Sequence, residues 1–248
     1  MKKILLVLSL VLLFSCEKPS DCVESLGDIT TKEVAVTPFT RIEIHKGIEL
    51  IVTQGPEYKV VIETGENIID DIEVTQSGNI LSCRNNNTCN WVREYGVTKV
   101  YVTAPDLSDI YSKSERNVSS VGVLTYPVLR LFSLDKDGDG LEGAGTGDFF
   151  INVNNSQLVI QTNNVSRFYI SGATTQGLFE FYAGDSRIEA QDLTIQNLEV
   201  FHRGSNDMIV KPIQSITGKM VSTGNIVLKN NPPLVDVQQL YQGQVIYN

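Results

Sequence analysis

The sequence predicts an all-β fold, a β-solenoid with rungs of about 20 residues in its C-terminal half and a less regular β N-terminal half. Three observations carry this. The first is a repeat: Phe149-Phe150-Ile151 falls in register with Phe168-Tyr169-Ile170, Ile188-Glu189-Ala190, Met208-Ile209-Val210 and Ile226-Val227-Leu228. The second is short runs of β-branched, alternating residues with Gly, Pro, Asn and Asp between them. The third is that no window sustains the i, i+3, i+4, i+7 spacing of an amphipathic helix.

In chain order, Lys2-Lys3 precedes an apolar stretch over residues 4–14, closed by Leu13-Phe14-Ser15-Cys16. That stretch is shorter than the ~20 residues a membrane-spanning helix needs, so residues 1–15 read as a secretory signal peptide. A small residue before cysteine resembles the bacterial lipobox, which implies that Cys16 is lipidated and becomes the mature N-terminus. Residues 16–35 then form a polar tether. Glu17, rather than aspartate, after the cysteine favours the outer membrane and leaves its periplasmic or extracellular face open.

Residues 36–248 form one domain of solenoid type. Strands are expected over residues 41–45, 49–54, 59–64, 72–75 and 99–103, with at most one helical turn over 66–71. The irregular N-terminal half and the tail from Pro232 to Tyr247 are expected to cap the two ends, where unpaired strand edges would otherwise lie open.

In the regular repeats, residues 148–230, the first and third members of each triplet point inward. The middle members Phe150, Tyr169, Glu189, Ile209 and Val227 point outward. A second column is read as Leu158, Leu178, Leu198 and Gly218. Four of the five outward residues are apolar or aromatic, so Phe150, Tyr169, Ile209 and Val227 are either covered or offered to a partner, and covering is the expectation. Phe181 and Phe201 fall at equivalent rung positions and are expected in the core.

Composition excludes nucleic acid as a partner. The net charge is −9, about −11 once Lys2 and Lys3 are removed, and the basic residues are scattered. With Cys16 assigned to lipid, Cys22, Cys83 and Cys89 remain in an oxidising compartment. One bridge is available, Cys83–Cys89 or Cys22–Cys89, and neither His45 nor His202 lies near enough in sequence to suggest zinc. Trp91 is expected to shield a disulfide.

Asp135-Lys136-Asp137-Gly138-Asp139-Gly140 matches the start of an EF-hand loop, but position twelve is Thr146 and no helices flank it. A non-standard calcium site would use Asp135, Asp137 and Asp139 with Glu142 or Asp148 completing the shell; a solvated turn uses the same residue types and is the preferred reading. Asp185, Arg187, Asp207 and Arg167 form the one charged group that a glycan-processing enzyme of β-helix type would need. A ladder of turn charges in which Asp207 offsets Arg187 is the preferred reading, and no catalytic residue is assigned.

The lipobox, Phe39-x-x-Ile42-x-Ile44, Gly47-Ile48-Glu49-Leu50, Gln54-Gly55, the Gly-polar turns and Cys89-Asn90-Trp91 together resemble the head-GIN-domain family of adhesin-like Bacteroidota lipoproteins. The resemblance runs from about Cys22 to the C-terminus. It implies a right-handed β-helix-like solenoid, no catalysis, and a Cys22–Cys89 disulfide. The resulting expectation is an outer-membrane lipoprotein that acts as an adhesion or interaction module without a cofactor. Its partner would be a glycan, or an envelope or host protein. The alternatives are the glycan-processing enzyme and a calcium-stabilised scaffold.

Overall fold

The computed structural model describes residues 25–87, 96–135 and 145–248. Seventeen strands account for the regular structure among them: β1 (Ile29–Val34), β2 (Arg41–Ile44), β3 (Glu49–Gln54), β4 (Lys59–Gly65), β5 (Ile72–Ser77), β6 (Ile80–Asn85), β7 (Lys99–Ala104), β8 (Asp109–Ser112), β9 (Val118–Val121), β10 (Val128–Ser133), β11 (Phe149–Thr162), β12 (Arg167–Phe181), β13 (Arg187–His202), β14 (Met208–Met220), β15 (Ile226–Leu228), β16 (Leu234–Gln239) and β17 (Val245–Tyr247). A single 3-10 turn, Ile69–Asp71, stands within the one stretch where a helical turn was expected.

The strands stack into two ladders. In the first, β7, β3, β9, the leading halves of β11 to β14, β15 and β17 pair in parallel. In the second, β6, β2, β8, β10, the trailing halves of β11 to β14, and β16 do the same. Strands β11 to β14 contribute one half to each ladder, so each is a complete rung. Phe149 lies opposite Phe168, Phe168 opposite Ile188, Ile188 opposite Met208, Met208 opposite Ile226, and Ile226 opposite Val245. This is the register read from the triplets, extended by one further rung.

The second column is corrected. Leu158 pairs with Gly177, Gly177 with Leu198, and Leu198 with Ile216, so Leu178 faces Val159 and Glu199 on the outer surface. A displacement of one residue moves a side chain to the other face of a strand. For the same reason Phe201 pairs with Glu180 on the outside, whereas Phe181 lies opposite His202 and is buried.

The N-terminal half does not follow chain order. The rung formed by β2 and β3 is held between β6 and β7 on one side and β8 and β9 on the other. Antiparallel strands finish this end: β4 lies on β7, β1 on β4, and β5 on β6. Residues 29–34, within the stretch read as tether, are therefore a paired strand, because the exposed edge of β4 supplies a template for them.

Between the ladders runs a continuous apolar core. Leu50, Val118, Phe149, Phe168, Ile188, Met208 and Ile226 follow one another along it, each fully buried. Phe149 and Phe168 stack at 4.6 Å with ring planes 15° apart. Each such side chain contributes about 1.5–3 kcal/mol through burial. At the corners, buried hydroxyls pair across rungs, Ser133 with Ser166 and Thr162 with Ser186, each at 2.8 Å, which satisfies polar groups the turns bring inside.

Candidate functional site

The outward column predicted from the triplets is longer than the repeat that revealed it. By register it runs Tyr101, Ile51, Ser119, Phe150, Tyr169, Glu189, Ile209, Val227, Ile246. The stripe divides along its length. Phe150 and Tyr169 are 42% and 38% exposed, while Ile209 and Val227 are each only 9% exposed. Short β-branched side chains about 4.8 Å apart shelter one another in a column. The two aromatic rings stand proud, stacked at 4.8 Å and within 6° of parallel.

Beside this pair the sheet is irregular. Tyr169 pairs with Glu189 but Ser171 with Asp192, so β13 carries one extra residue at this point, a β-bulge. The bulge opens a shallow cavity of about 330 Å³ whose lining includes Phe150, Tyr169, Ser120, Asn152, Glu189 and Asp192. Glu189 is engaged by Arg187 at 2.6 Å, and the same guanidinium reaches Asp207 at 3.2 Å. The Asp192 side chain is exposed, with no hydrogen-bond or ion-pair partner among the described residues. Ser120, Asn152 and Asp192 were not singled out from sequence. The one available signal was the unequal spacing of the rungs, which the misaligned second column hid.

The charged group proposed for catalysis has a structural use. Asn117, Asp148, Asp207 and Asn225 each accept, through a side-chain oxygen, the backbone N–H that opens the next rung: Asp148 (3.3 Å), Arg167 (2.9 Å), Asn225 (3.2 Å) and Gln244 (3.1 Å). Arg187 is tied to Glu189 and Asp207, and Asp185 accepts the Ser205 hydroxyl at 2.6 Å. The Arg187–Asp207 and Asp185–Ser205 contacts run between rungs, while Arg187–Glu189 lies within β13.

The other ladder carries its own aromatic groove. Phe201 and Tyr182 lie 6.0 Å apart, and the Lys219 ammonium sits 5.4 Å from the Phe201 ring centre. A cavity of about 560 Å³ is lined by these residues with Glu180, Glu199 and Asp236. Burial and the hydrogen bond to Glu180 push the Tyr182 phenol up to about 12, so it remains a donor at neutral pH.

Cys83 is a free, fully buried thiol, pushed up to about 12 by that burial, and is therefore unreactive at neutral pH. Cys16, Cys22, Cys89 and Trp91 lie outside the described residues, as do Asp137, Asp139 and Glu142 of the calcium motif. Asp135 is described: its N–H donates to Asn163 Oδ1 at 2.8 Å and its carboxylate accepts from Asn164 Nδ2 at 3.3 Å. His202 is buried, with Nδ1 accepting the Gly204 N–H at 3.2 Å. Burial holds its pKa below the usual histidine range, with Asn206, Asn225 and Asp207 opposing in part.

Among solved structures the chain is similar to a "putative adhesin" from Bacteroides fragilis NCTC 9343, at 20% identity over 91% of this chain and 100% of that one, with a TM-score of 0.79. It is also similar to a "putative lipid binding protein" from Parabacteroides distasonis ATCC 8503 (13% identity, 90% and 99% covered, TM-score 0.66). A third likeness is to a "putative adhesin" from Parabacteroides merdae ATCC 43184 (16% identity, 92% and 100% covered, TM-score 0.59). At these identities the likeness is one of fold. No curated protein matches the chain. Residues 38–232 match the family described as "Putative auto-transporter adhesin, head GIN domain", and the chain belongs to that family.

Proposed function

We propose that this protein is a lipid-anchored contact module of the bacterial outer membrane, which holds an extended glycan against its outer face and performs no chemistry on it. The observation that carries the reading is the exposed Phe150–Tyr169 pair beside the polar cavity at the β13 bulge. Aromatic surfaces pack against the apolar faces of sugar rings, while Ser120, Asn152 and Asp192 offer hydroxyl, amide and carboxylate groups to sugar hydroxyls. The long column of rungs on either side suits a chain-like ligand rather than a compact one. Family membership and the adhesin-like fold support the same reading.

Binding to a panel of neutral and acidic polysaccharides, with lipid vesicles as a separate arm, tests it. Phe150→Ser with Tyr169→Ser should weaken glycan binding at least ten-fold without loss of fold, since both side chains are exposed. Unchanged glycan binding by that variant, or binding to vesicles only, would overturn the proposal. Turnover of a polysaccharide, abolished by Asp185→Asn or Arg187→Gln, would instead favour the enzyme. Anchoring rests on Cys16 and the signal segment before it. Protease treatment of whole cells distinguishes the two membrane faces: digestion without lysis places the domain outside.

A further inference from the structure

The two ends of the stack are finished differently. At the N-terminal end, antiparallel strands cover the parallel ladders, and charged residues line their outer edges, with ion pairs Lys32–Asp70 (2.7 Å) and Lys59–Glu33 (3.0 Å). Such charges discourage further strand pairing. At the other end, the tail expected to serve as a cap simply adds another rung. Among the described residues β16 pairs only with β14, and β17 only with β15.

The apolar interior reaches this surface unclosed. Val235, Val237 and Val245 pack on the core yet are only partly buried, while Leu240 and Tyr241 beside them are each 62% exposed and Tyr247 is 56% exposed. Within residues 230–248 the only charged side chain is Asp236. A chain of net charge −9 thus has one end almost free of the repulsion that keeps its copies apart.

Backbone direction adds a second constraint. Leu240 N–H donates to Met220 C=O, Ile226 N–H to Gln244 C=O, and Asn248 N–H to Leu228 C=O. In a parallel ladder successive residues alternate in the side to which their amides point. The amides of Val235, Val237, Gln239, Val245 and Tyr247 therefore face away from the stack. The Val245 N–H is occupied by Gln239 Oε1 at 3.1 Å.

We propose that this edge pairs with the same edge of a second copy, with β16 antiparallel to its counterpart about a two-fold axis at Val237. The register follows from the free amides. Val237 faces its own equivalent, Val235 faces Gln239, Leu234 faces Leu240, and Asp236 faces Gln238. No two carboxylates meet, and each Asp236 is set against a neutral amide. The axis runs normal to the sheet, so the ladder that ends in β16 continues across the junction and the half-open cores close on each other. Because the far end of each copy is capped, the assembly stops at two.

Sedimentation of the full chain in density-matched detergent tests this, with melting followed in parallel. A dimer is expected at micromolar concentration. Val237→Pro removes an amide that makes no bond within the stack, so it should leave a folded monomer. Gln238→Glu places a carboxylate opposite Asp236 of the other copy while gaining Lys219 as a cross-strand neighbour in its own chain. It should weaken the dimer at least ten-fold while the chain stays folded, with the melting temperature falling only toward that of the isolated monomer. A native chain that stays monomeric at 100 µM or forms open-ended polymers, or variants that remain as dimeric as the native chain, would overturn the proposal. Binding of a short oligosaccharide at Phe150 and Tyr169 is read separately and is indifferent to either result.

Discussion

His202 combines full burial with a titratable ring, and the cost of charging that ring falls on the folded state. Its folded pKa lies below the ordinary 6.5, so between the two values the unfolded chain binds more protons. The associated stability is fully present above about pH 6.5 and is lost as the pH falls toward the folded value. Urea midpoints measured from pH 8 to pH 5 should show this loss, and His202→Gln should remove its share of the slope. A neighbouring contrast is sharper in size. Phe168 is packed against Phe149 inside, and Phe168→Ala should cost about 3–5 kcal/mol. Tyr169, the next residue, projects outward, and Tyr169→Ala should cost under about 1 kcal/mol. A period-two reading of one triplet predicts both outcomes.

At the scale of the strand, register decides which leucine matters. Leu198 is buried in the column with Leu158 and Gly177, whereas Leu178 is half-buried on the outer face. Leu198→Ala should therefore cost about 2–5 kcal/mol and Leu178→Ala distinctly less, measured by chemical denaturation. Equal losses would restore the alignment first read from sequence. The turns are as demanding as the core. Gly184 has φ of +81°, and a Cβ there would lie 2.1 Å from the Asn164 carbonyl oxygen of the preceding rung. Gly184→Ala should destabilise by at least about 1 kcal/mol. The triplets were legible because each begins a rung behind a turn and keeps strict alternation. The second column was not, because the β13 bulge and unequal turns change the spacing between rungs, and such changes leave no mark on composition.

For the whole molecule, the contrast between a capped end and an open end links architecture to use. A glycan-binding face on each of two copies joined end to end would give a longer platform, and two weak sites on one scaffold bind an extended polymer more tightly than either alone. Disrupting the dimer with Val237→Pro should then reduce retention on immobilised polysaccharide while leaving binding to a short oligosaccharide unchanged. Nothing in the tail 230–248 announces an open end. Pro232-Pro233 and the alternating Leu234–Gln239 suit a cap and a final rung equally well.

The sequence by itself determined the all-β class, the repeat, its inward apolar columns and the aromatic pair at Phe150 and Tyr169. All of these follow from alternation within one strand and from recurrence along the chain, which are local properties. Tertiary structure decided the rest. It inserted the β2–β3 rung between strands that come later in the chain, and it placed Leu178 and Phe201 outside. It also gathered Ser120, Asn152 and Asp192 around the aromatic pair and left the outer edges of β16 and β17 without a strand partner among the described residues. Each of these depends on which strand lies beside which and in what register. Hydrogen bonds between backbones fix that choice, and backbone groups are the same for every residue but proline.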